Sequence, residues 1–161
     1  MRFIFLMMAT CLMMSSCGRT RIEYVKVINE KTAQITMAVN EAGNLKSILE
    51  IELIDYKWLE ASGKTYLQTK VQLRNLGPYA TQLDADLNFF GILDSDRTAG
   101  KYQLIAVDSC IWRQEAILAN GKSDQCLTFD GDFTKDLKLT YAPYKLQTFD
   151  EGRYISFEIK K

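Results

Sequence analysis

Histidine is absent from the 161 residues of this chain. The absence matters because histidine is the most common metal ligand and a leading general base in proteins. Catalytic triads that need histidine and zinc sites of the Cys/His type are therefore excluded. Carboxylate-only hydrolysis stays open as chemistry, but we expect a protein that is not an enzyme and that holds no cofactor.

An excess of charge of one sign is also missing, because 20 basic residues face 20 acidic ones. A balanced chain gives no electrostatic reason to bind nucleic acid, so we expect no such partner. Proline occurs only twice and no long Gly/Ser tract marks a linker between domains. The length fits one domain, and 47% hydrophobic residues are sufficient to form a core.

The chain has no hydrophobic run of the roughly 20 residues that a membrane-spanning helix needs. Its longest apolar stretch, 3–14, follows the positive charge of Arg2 and precedes two serines. This order of charged, apolar and small residues is that of a secretory signal peptide. An ordinary buried helix is the alternative, but a one-faced helix should carry polar residues every few positions. We therefore predict that 1–16 are a cleaved signal.

The end of this segment, Met14-Ser15-Ser16-Cys17, resembles the lipobox of bacterial lipoproteins, in which an aliphatic residue and two small residues precede a cysteine. The resemblance implies cleavage before Cys17 and acylation of Cys17 with chains such as palmitate. Met14 stands where that family usually has leucine. A rival segment ends at Cys11, but it has a bulkier residue before its cysteine. A plain secretory cleavage that leaves Cys17 as a free thiol is the alternative.

Gly18 follows this cysteine, and the same resemblance implies a destination from that position. In that family an aspartate here retains the protein in the inner membrane. Gly18 therefore implies the outer membrane of a cell with two membranes, with the domain facing the periplasm. Two acyl chains are already enough for stable anchoring, so we expect the membrane itself to be a partner.

The four cysteines divide into two sets. Cys11 leaves with the signal and Cys17 takes the lipid, so Cys110 and Cys126 remain as a pair. In an exported protein such a pair is expected to form a disulfide. Closing a loop of about 16 residues would stabilise the fold by on the order of 3 kcal/mol. A redox pair usually has Cys-x-x-Cys spacing, and a metal would need further ligands, so we predict a structural bridge and no metal.

The rest of the chain alternates apolar and polar residues with a period of two, which indicates half-buried strands. The predicted strands are 49–58, 66–73, 87–89, 102–105, 126–128, 137–141 and 154–159. Turn residues such as Ser62-Gly63 and Asn120-Gly121 separate them, which favours an antiparallel sandwich or barrel. The spacing within 111–118 allows one helix, or an irregular segment closed by the cysteine bridge.

The order of several segments is similar to that of telokin-like, immunoglobulin-fold domains of bacterial lipoproteins. The segments are LEIELIDYKWLE, YLQTKVQLRNLGPYA, LNFFGILDSD, LANGKSDQCLTFD and RYISFEI. Asn120-Gly121 stands where that family usually has Pro-Gly, and Arg97 replaces a glycine. The resemblance implies an antiparallel immunoglobulin-like β-sandwich over 48–161. Residues 17–47 would be the lipidated N-terminus with a short tether or an extra strand, in which 33–39 could be strand or helical turn.

Three further patterns have an ordinary structural explanation and a functional one. Asp84-Ala85-Asp86-Leu87-Asn88 begins like a calcium loop but lacks the required glycine and glutamate, which favours solvated carboxylates. The segment 62–66 is similar to the Ser-Gly-x-x-Tyr loop of periplasmic lysozyme inhibitors, but it also suits a hairpin turn. Aromatic residues are expected in the core or at its rim; the candidates are Trp58, Trp112, Tyr79, Tyr102, Tyr141 and Tyr144.

The function expected from these patterns is a membrane-anchored β-sandwich that binds or scaffolds an envelope protein. The alternatives are a structural subunit of an envelope secretion machine, such as the small lipoproteins of type VI secretion, and an inhibitor of a periplasmic hydrolase. The sequence predicts no binding residues for any of these roles.

Overall fold

A computed structural model describes residues 21–38, 46–82, 90–94, 103–105, 107, 109–110, 112–113, 115–133, 136–141 and 154–161. Every regular element in these residues is a β-strand. The strands are β1 Arg21–Asn29, β2 Thr32–Ala38, β3 Lys46–Ala61, β4 Lys64–Asn75, β5 Thr81–Gln82, β6 Phe90–Asp94, β7 Gln103–Ile105, β8 Ala116–Ile117, β9 Lys122–Asp130, β10 Leu137–Tyr141 and β11 Ile155–Ile159. The predicted all-β class is confirmed.

The strands form two main sheets in which every neighbouring pair is antiparallel. The larger sheet has six strands in the order β1-β2-β3-β4-β9-β7, and the smaller has three in the order β11-β10-β6. The short strands β5 and β8 pair separately. Within the described ranges, no helix is long and apolar enough to cross a membrane.

The described residues of 111–118 show no helix. Trp112 and Arg113 have no regular structure, and Ala116–Ile117 form the strand β8. The helical spacing of the apolar residues does not determine the structure here, because the described residues of this segment are tied to β9 by long-range contacts. The predicted strand at 87–89 lies outside the described residues, and β6 begins immediately after it at Phe90.

Residues 21–38 form two strands that extend the six-stranded sheet beyond β3. β2 pairs with β3 from Thr32↔Glu52 to Ala38↔Lys46. Ala33 and Ile35 on β2 are almost completely buried. Strand, not helical turn, is therefore observed in this part of the chain as far as Ala38.

One hydrophobic core lies between the two main sheets, so the molecule is a β-sandwich. The alternation predicted from sequence places one side chain in two on the inner face of each strand. β11 shows this most simply, because its residues alternate strictly between buried and exposed. The largest fully buried apolar side chains come from both sheets; they are Phe129, Phe157, Ile35, Leu49, Ile51, Leu67, Leu73, Leu127, Leu139 and Ile155.

The turn between β3 and β4 requires positive φ at both of its central residues. Ser62 has φ 54° and Gly63 has φ 75°, which suits the tight hairpin that the sequence predicted. A Cβ built on Gly63 would meet no atom within 4 Å. Any cost of adding one is therefore conformational and not steric.

Gly63→Ala should accordingly lower the free energy of unfolding by about 1 kcal/mol, because a Cβ disfavours the left-handed region. Chemical denaturation of the two proteins would measure this. Gly63→Asn is the matched control and should cost less, since asparagine tolerates positive φ. Equal costs for the two substitutions would contradict the conformational explanation.

Tyr141, at the end of β10, is 2% exposed and packs against Phe90 with ring centroids 4.8 Å apart. Burial raises the pKa of its phenol above the usual value of 10.0, because the ionised form would lose its hydration. The folded state thus keeps a proton that the unfolded state releases above pH 10.0. Its contribution to stability is complete below that pH and is lost as the pH rises further.

The free energy of unfolding should therefore fall above pH 10.0 with an extra slope approaching about 1.4 kcal/mol per pH unit. Tyr141→Phe should lack this component while keeping the contribution of the other tyrosines and lysines. Denaturant titrations of both proteins at several pH values between about pH 9 and about pH 11 would measure the difference between the two slopes. These limits lie roughly one unit below and above the reference pKa of tyrosine. Parallel curves would show that Tyr141 ionises as easily in the folded protein as in the unfolded one.

Candidate functional site

The predicted disulfide is present and joins the β7–β9 connection to the six-stranded sheet. Cys110 and Cys126 are bonded, with Cα atoms 5.0 Å apart and a sequence separation of 16. Cys110 is 2% exposed, and its backbone N–H donates to the carbonyl of Val107 at 2.8 Å. The bridge therefore holds a short, locally bonded loop against the middle of β9.

A second attachment of the same connection is a buried glutamine. Gln125 is 2% exposed, and its side-chain oxygen accepts a hydrogen bond of 2.7 Å from the backbone N–H of Arg113. Its side-chain nitrogen donates to the carbonyl of Arg113 at 3.2 Å. The amide thus pairs with the backbone of Arg113 as a neighbouring strand residue would, which ties Arg113 to β9.

Two more side chains complete this polar cluster. The hydroxyl of Ser123 donates to the carboxylate of Glu115, and the Gln125 side-chain nitrogen donates to the same Glu115 oxygen at 3.3 Å. Ser123 is 5% exposed. Because residues 123, 125, 127 and 129 share one face of β9, these polar groups continue the buried face of the core toward one end of the sheet.

The opposite face of β9 carries Cys126, so the connection passes around the edge of this strand from one face to the other. A groove of about 650 Å³ opens beside the disulfide on this outer side. Lys70 and Arg113 contribute positive charge to it. The carboxylate of Asp124 accepts a hydrogen bond of 2.7 Å from the Gln72 side-chain nitrogen. The groove therefore has mixed polarity.

Asn75 organises the end of the sandwich where β4 finishes. It is completely buried, and its side-chain nitrogen donates to the carbonyls of Tyr79 at 2.6 Å and Ile117 at 3.0 Å. Its side-chain oxygen accepts from the N–H of Gly77 at 2.9 Å, and its own N–H donates to the Gly121 carbonyl at 3.0 Å. One side chain therefore joins the bend after β4 to strand β8.

Three exposed apolar residues surround this asparagine, and we call them the apolar tip. Leu76 follows Asn75 directly and is 36% exposed, Tyr79 is 51% exposed, and Leu118 follows Ile117 and is 69% exposed. The N–H of Leu76 donates to Ile48 at 2.8 Å, and the carbonyl of Leu118 accepts from Gly121 at 2.9 Å. The backbone at these positions is thus fixed by hydrogen bonds although the side chains project into solvent.

The other end of the sheet is polar. The Ser62–Gly63 turn lies there as an ordinary hairpin turn, so nothing in its geometry favours the inhibitor loop suggested by the sequence. Lys64 and Asp130 form an exposed ion pair of 3.5 Å, which contributes little to stability. A hollow of about 400 Å³ beside them is lined also by Phe133 and Lys161.

The remaining sequence candidates are distributed over the fold. Trp58 and Trp112 lie at the rim of the core, where they pack edge-on against Phe133 at 5.2 Å and Phe90 at 5.5 Å. Three candidates fall outside the described residues; they are the calcium-like loop 84–88, Tyr102 and Tyr144. In the part of the chain that is described, no three acidic or cysteine side chains are grouped as metal ligands. Cys17 also lies outside the described residues.

The sequence did not identify Asn75 and Gln125 as the residues that shape this region. The signal for Asn75 is the bend Asn75-Leu76-Gly77-Pro78, whose residue types indicate a turn but not a buried amide. The signal for Gln125 is its position, because it lies in phase with the buried apolar residues Leu127 and Phe129. A polar side chain at such a position is easily assigned to the exposed face instead.

The fold is similar to that of the candidate lipoprotein ycdA from Bacillus subtilis. The two chains are 16% identical, with a TM-score of 0.54 over 69% of this chain and 36% of that one. This chain therefore spans about a third of the length of ycdA. A protein of unknown function from Listeria monocytogenes matches over 88% of this chain and 87% of its own, with 13% identity and a TM-score of 0.38. No protein-family model matches the sequence, and no curated protein matches it.

Proposed function

We propose that this chain is an exported lipoprotein that is anchored to a membrane of the cell envelope through Cys17. The observation that carries the proposal is the segment Met14-Ser15-Ser16-Cys17, four residues before β1. Because Cys110 and Cys126 are bonded to each other, Cys17 has no cysteine partner in a mature chain that has lost its signal. A disulfide also suits an oxidising compartment, and the fold is shared with a candidate lipoprotein.

We also propose that the sandwich is of the immunoglobulin-like type. The strand order supports this, because an immunoglobulin constant-type domain has sheets A-B-E-D and C-F-G. When the strands of the two main sheets are lettered A to G along the chain from β3 to β11, the order β3-β4-β9-β7 becomes A-B-E-D and the order β6-β10-β11 becomes C-F-G. The short strands β5 and β8 pair separately and are left out of this lettering. β1 and β2 would then be additions at the edge of strand A. The disulfide differs from the immunoglobulin bridge, since it joins strand E to the preceding connection.

The role that fits this domain best is binding or scaffolding of an envelope protein rather than catalysis. The groove beside the disulfide is the candidate surface, because two separate attachments hold its wall in place. Crosslinking in cells followed by purification should recover a stoichiometric protein partner, and Lys70→Glu with Arg113→Glu should reduce its recovery. Recovery of no partner from the crosslinked envelope would count against the scaffolding role.

The lipid is tested by growing cells with an alkyne-tagged palmitate and comparing three proteins. The original chain should be labelled and should sediment with membranes, whereas Cys17→Ser should be unlabelled and soluble in the periplasm. Cys11→Ser is the matched control, because it removes the rival cysteine and should leave labelling unchanged. Labelling that persists in Cys17→Ser would refute the proposed anchor.

The proposed destination is the outer membrane, on the basis of Gly18. Separation of the two membranes by density should recover the original chain in the outer-membrane fraction. Gly18→Asp should move it to the inner-membrane fraction without loss of the lipid. Recovery of both proteins in the same fraction would refute this assignment while leaving the anchor itself intact.

A further inference from the structure

The apolar tip and the beginning of β1 lie at the same end of the six-stranded sheet. Arg21, the first residue of β1, pairs with Ala38, and Ala38 pairs with Lys46 at the start of β3. Three residues along β3, Leu49 pairs with Asn75, the centre of the tip. The antiparallel register therefore brings the N-terminal end of the sheet and the tip to one side of the molecule.

The chain that joins this end to Cys17 is short. Three residues lie between Cys17 and Arg21, and the four residue steps that join them span at most about 14 Å. β1 and β4 are three strand spacings apart, which is again about 14 Å. A lipid on Cys17 would consequently hold the tip end of the sheet close to the bilayer surface.

The polar end of the sheet is much farther from the anchor. Twelve residue steps along β3 separate Leu49 from Ala61, and a strand of that length extends roughly 40 Å. The Ser62–Gly63 turn follows Ala61 and thus points away from the membrane when the tip faces it. The two ends also differ in chemistry, because the far end carries Lys64, Asp130 and Lys161 in place of exposed apolar side chains.

We infer that the apolar tip lies against the lipid bilayer that holds the anchor, with Leu118 and Tyr79 in the interfacial region. The inference rests on the proposed lipidation of Cys17. Contact with the bilayer removes the apolar surface of Leu118 from water, and tyrosine suits an interface where one part of its ring is apolar and its hydroxyl is wet. The hydrogen bonds of Asn75 hold both residues in position without any rearrangement of the fold.

The test uses the full lipidated protein in phosphatidylcholine vesicles. An environment-sensitive fluorophore is attached at Leu118→Cys, and at Val27→Cys in a second protein, after the Cys110–Cys126 bond has formed. Val27 is the matched control because it is 70% exposed, against 69% for Leu118, and lies six residues along β1 from Arg21. Unchanged thermal melting and an intact disulfide would establish that both labelled proteins are folded.

The fluorophore at Leu118 should shift to shorter wavelength on vesicles and should be quenched by lipids that carry a nitroxide near the headgroup. The fluorophore at Val27 should do neither. Water-like emission from both positions on vesicle-bound protein would overturn the inference and leave the tip open to a protein partner, and a shift at Val27 alone would indicate a different orientation. Protein that fails to associate with vesicles and carries no lipid would instead refute the proposed anchor.

Discussion

Asn75→Ala should lower the free energy of unfolding by about 3–5 kcal/mol. The substitution removes three side-chain hydrogen bonds and leaves the Tyr79 and Ile117 carbonyls and the Gly77 N–H without their partner. A buried polar group that loses its partner costs about 1–3 kcal/mol, and the three losses overlap because one side chain makes all of them. Urea denaturation monitored by tryptophan fluorescence would measure the change.

Two comparisons separate this explanation from a general loss of polar contacts. Gln72→Ala removes the amide that donates a hydrogen bond of 2.7 Å to the exposed Asp124. This substitution should lower the free energy of unfolding by less than about 0.5 kcal/mol. Asn75→Asp keeps the acceptor for Gly77 but turns a carboxylate toward two carbonyls, so it should be no better tolerated than alanine. A cost for Asn75→Ala as small as that for Gln72→Ala would show that the hydrogen bonds around Asn75 contribute little.

Replacing both Cys110 and Cys126 with serine should lower stability by about 3 kcal/mol, because the open chain gains conformational freedom over a loop of about 16 residues. For a domain of this size the loss corresponds to a fall of roughly 6–12 °C in Tm. Calorimetry of the oxidised protein and the double variant would measure it. The double variant should still fold, because the hydrophobic core lies between the two sheets and the bridge is not part of it.

The reduced original protein provides the control for this prediction. Reducing agent should lower its Tm toward that of the double variant and should leave the double variant unchanged. Gln125→Ala in the oxidised protein should destabilise independently, because its amide bonds Arg113 and not the disulfide. A Tm that is indifferent to reduction would contradict the prediction, because the bridge would then not limit the conformational freedom of the unfolded chain.

The period-two pattern was sufficient to predict most of the large sheet, and the cysteine count was sufficient to predict the disulfide. Leu49, Ile51 and Leu53 alternate with charged residues, and only a strand places such residues on opposite faces. The Ser62–Gly63 turn could be predicted because its neighbours are strands and its φ values suit few residues. The cysteine pair could be predicted by elimination because Cys11 and Cys17 are expected to have other roles.

Long-range partners explain what the pattern could not predict. The spacing of apolar residues in 111–118 indicates a helix when the segment is considered alone, but the Gln125 amide and the disulfide tie Arg113 and the preceding Cys110 to β9. Backbone groups satisfy the buried amides of Asn75 and Gln125, and two of these groups, at Ile117 and Arg113, are distant in sequence. No local property of an amide side chain reveals such partners, since the same residue is usually solvated on a surface.

The sheet order also has a consequence for the speed and order of folding. β1 to β4 are consecutive neighbours, so three of their pairings need only short-range closure. β9 must then find β4 across a separation such as the 60 residues between Gln68 and Thr128, and such distant closures are slow. Until β9 docks, β4 is an edge strand whose side opposite β3 is unpaired and can associate with other chains. We therefore expect the docking of β9, rather than hairpin formation, to set the period during which a newly synthesised chain is open to aggregation.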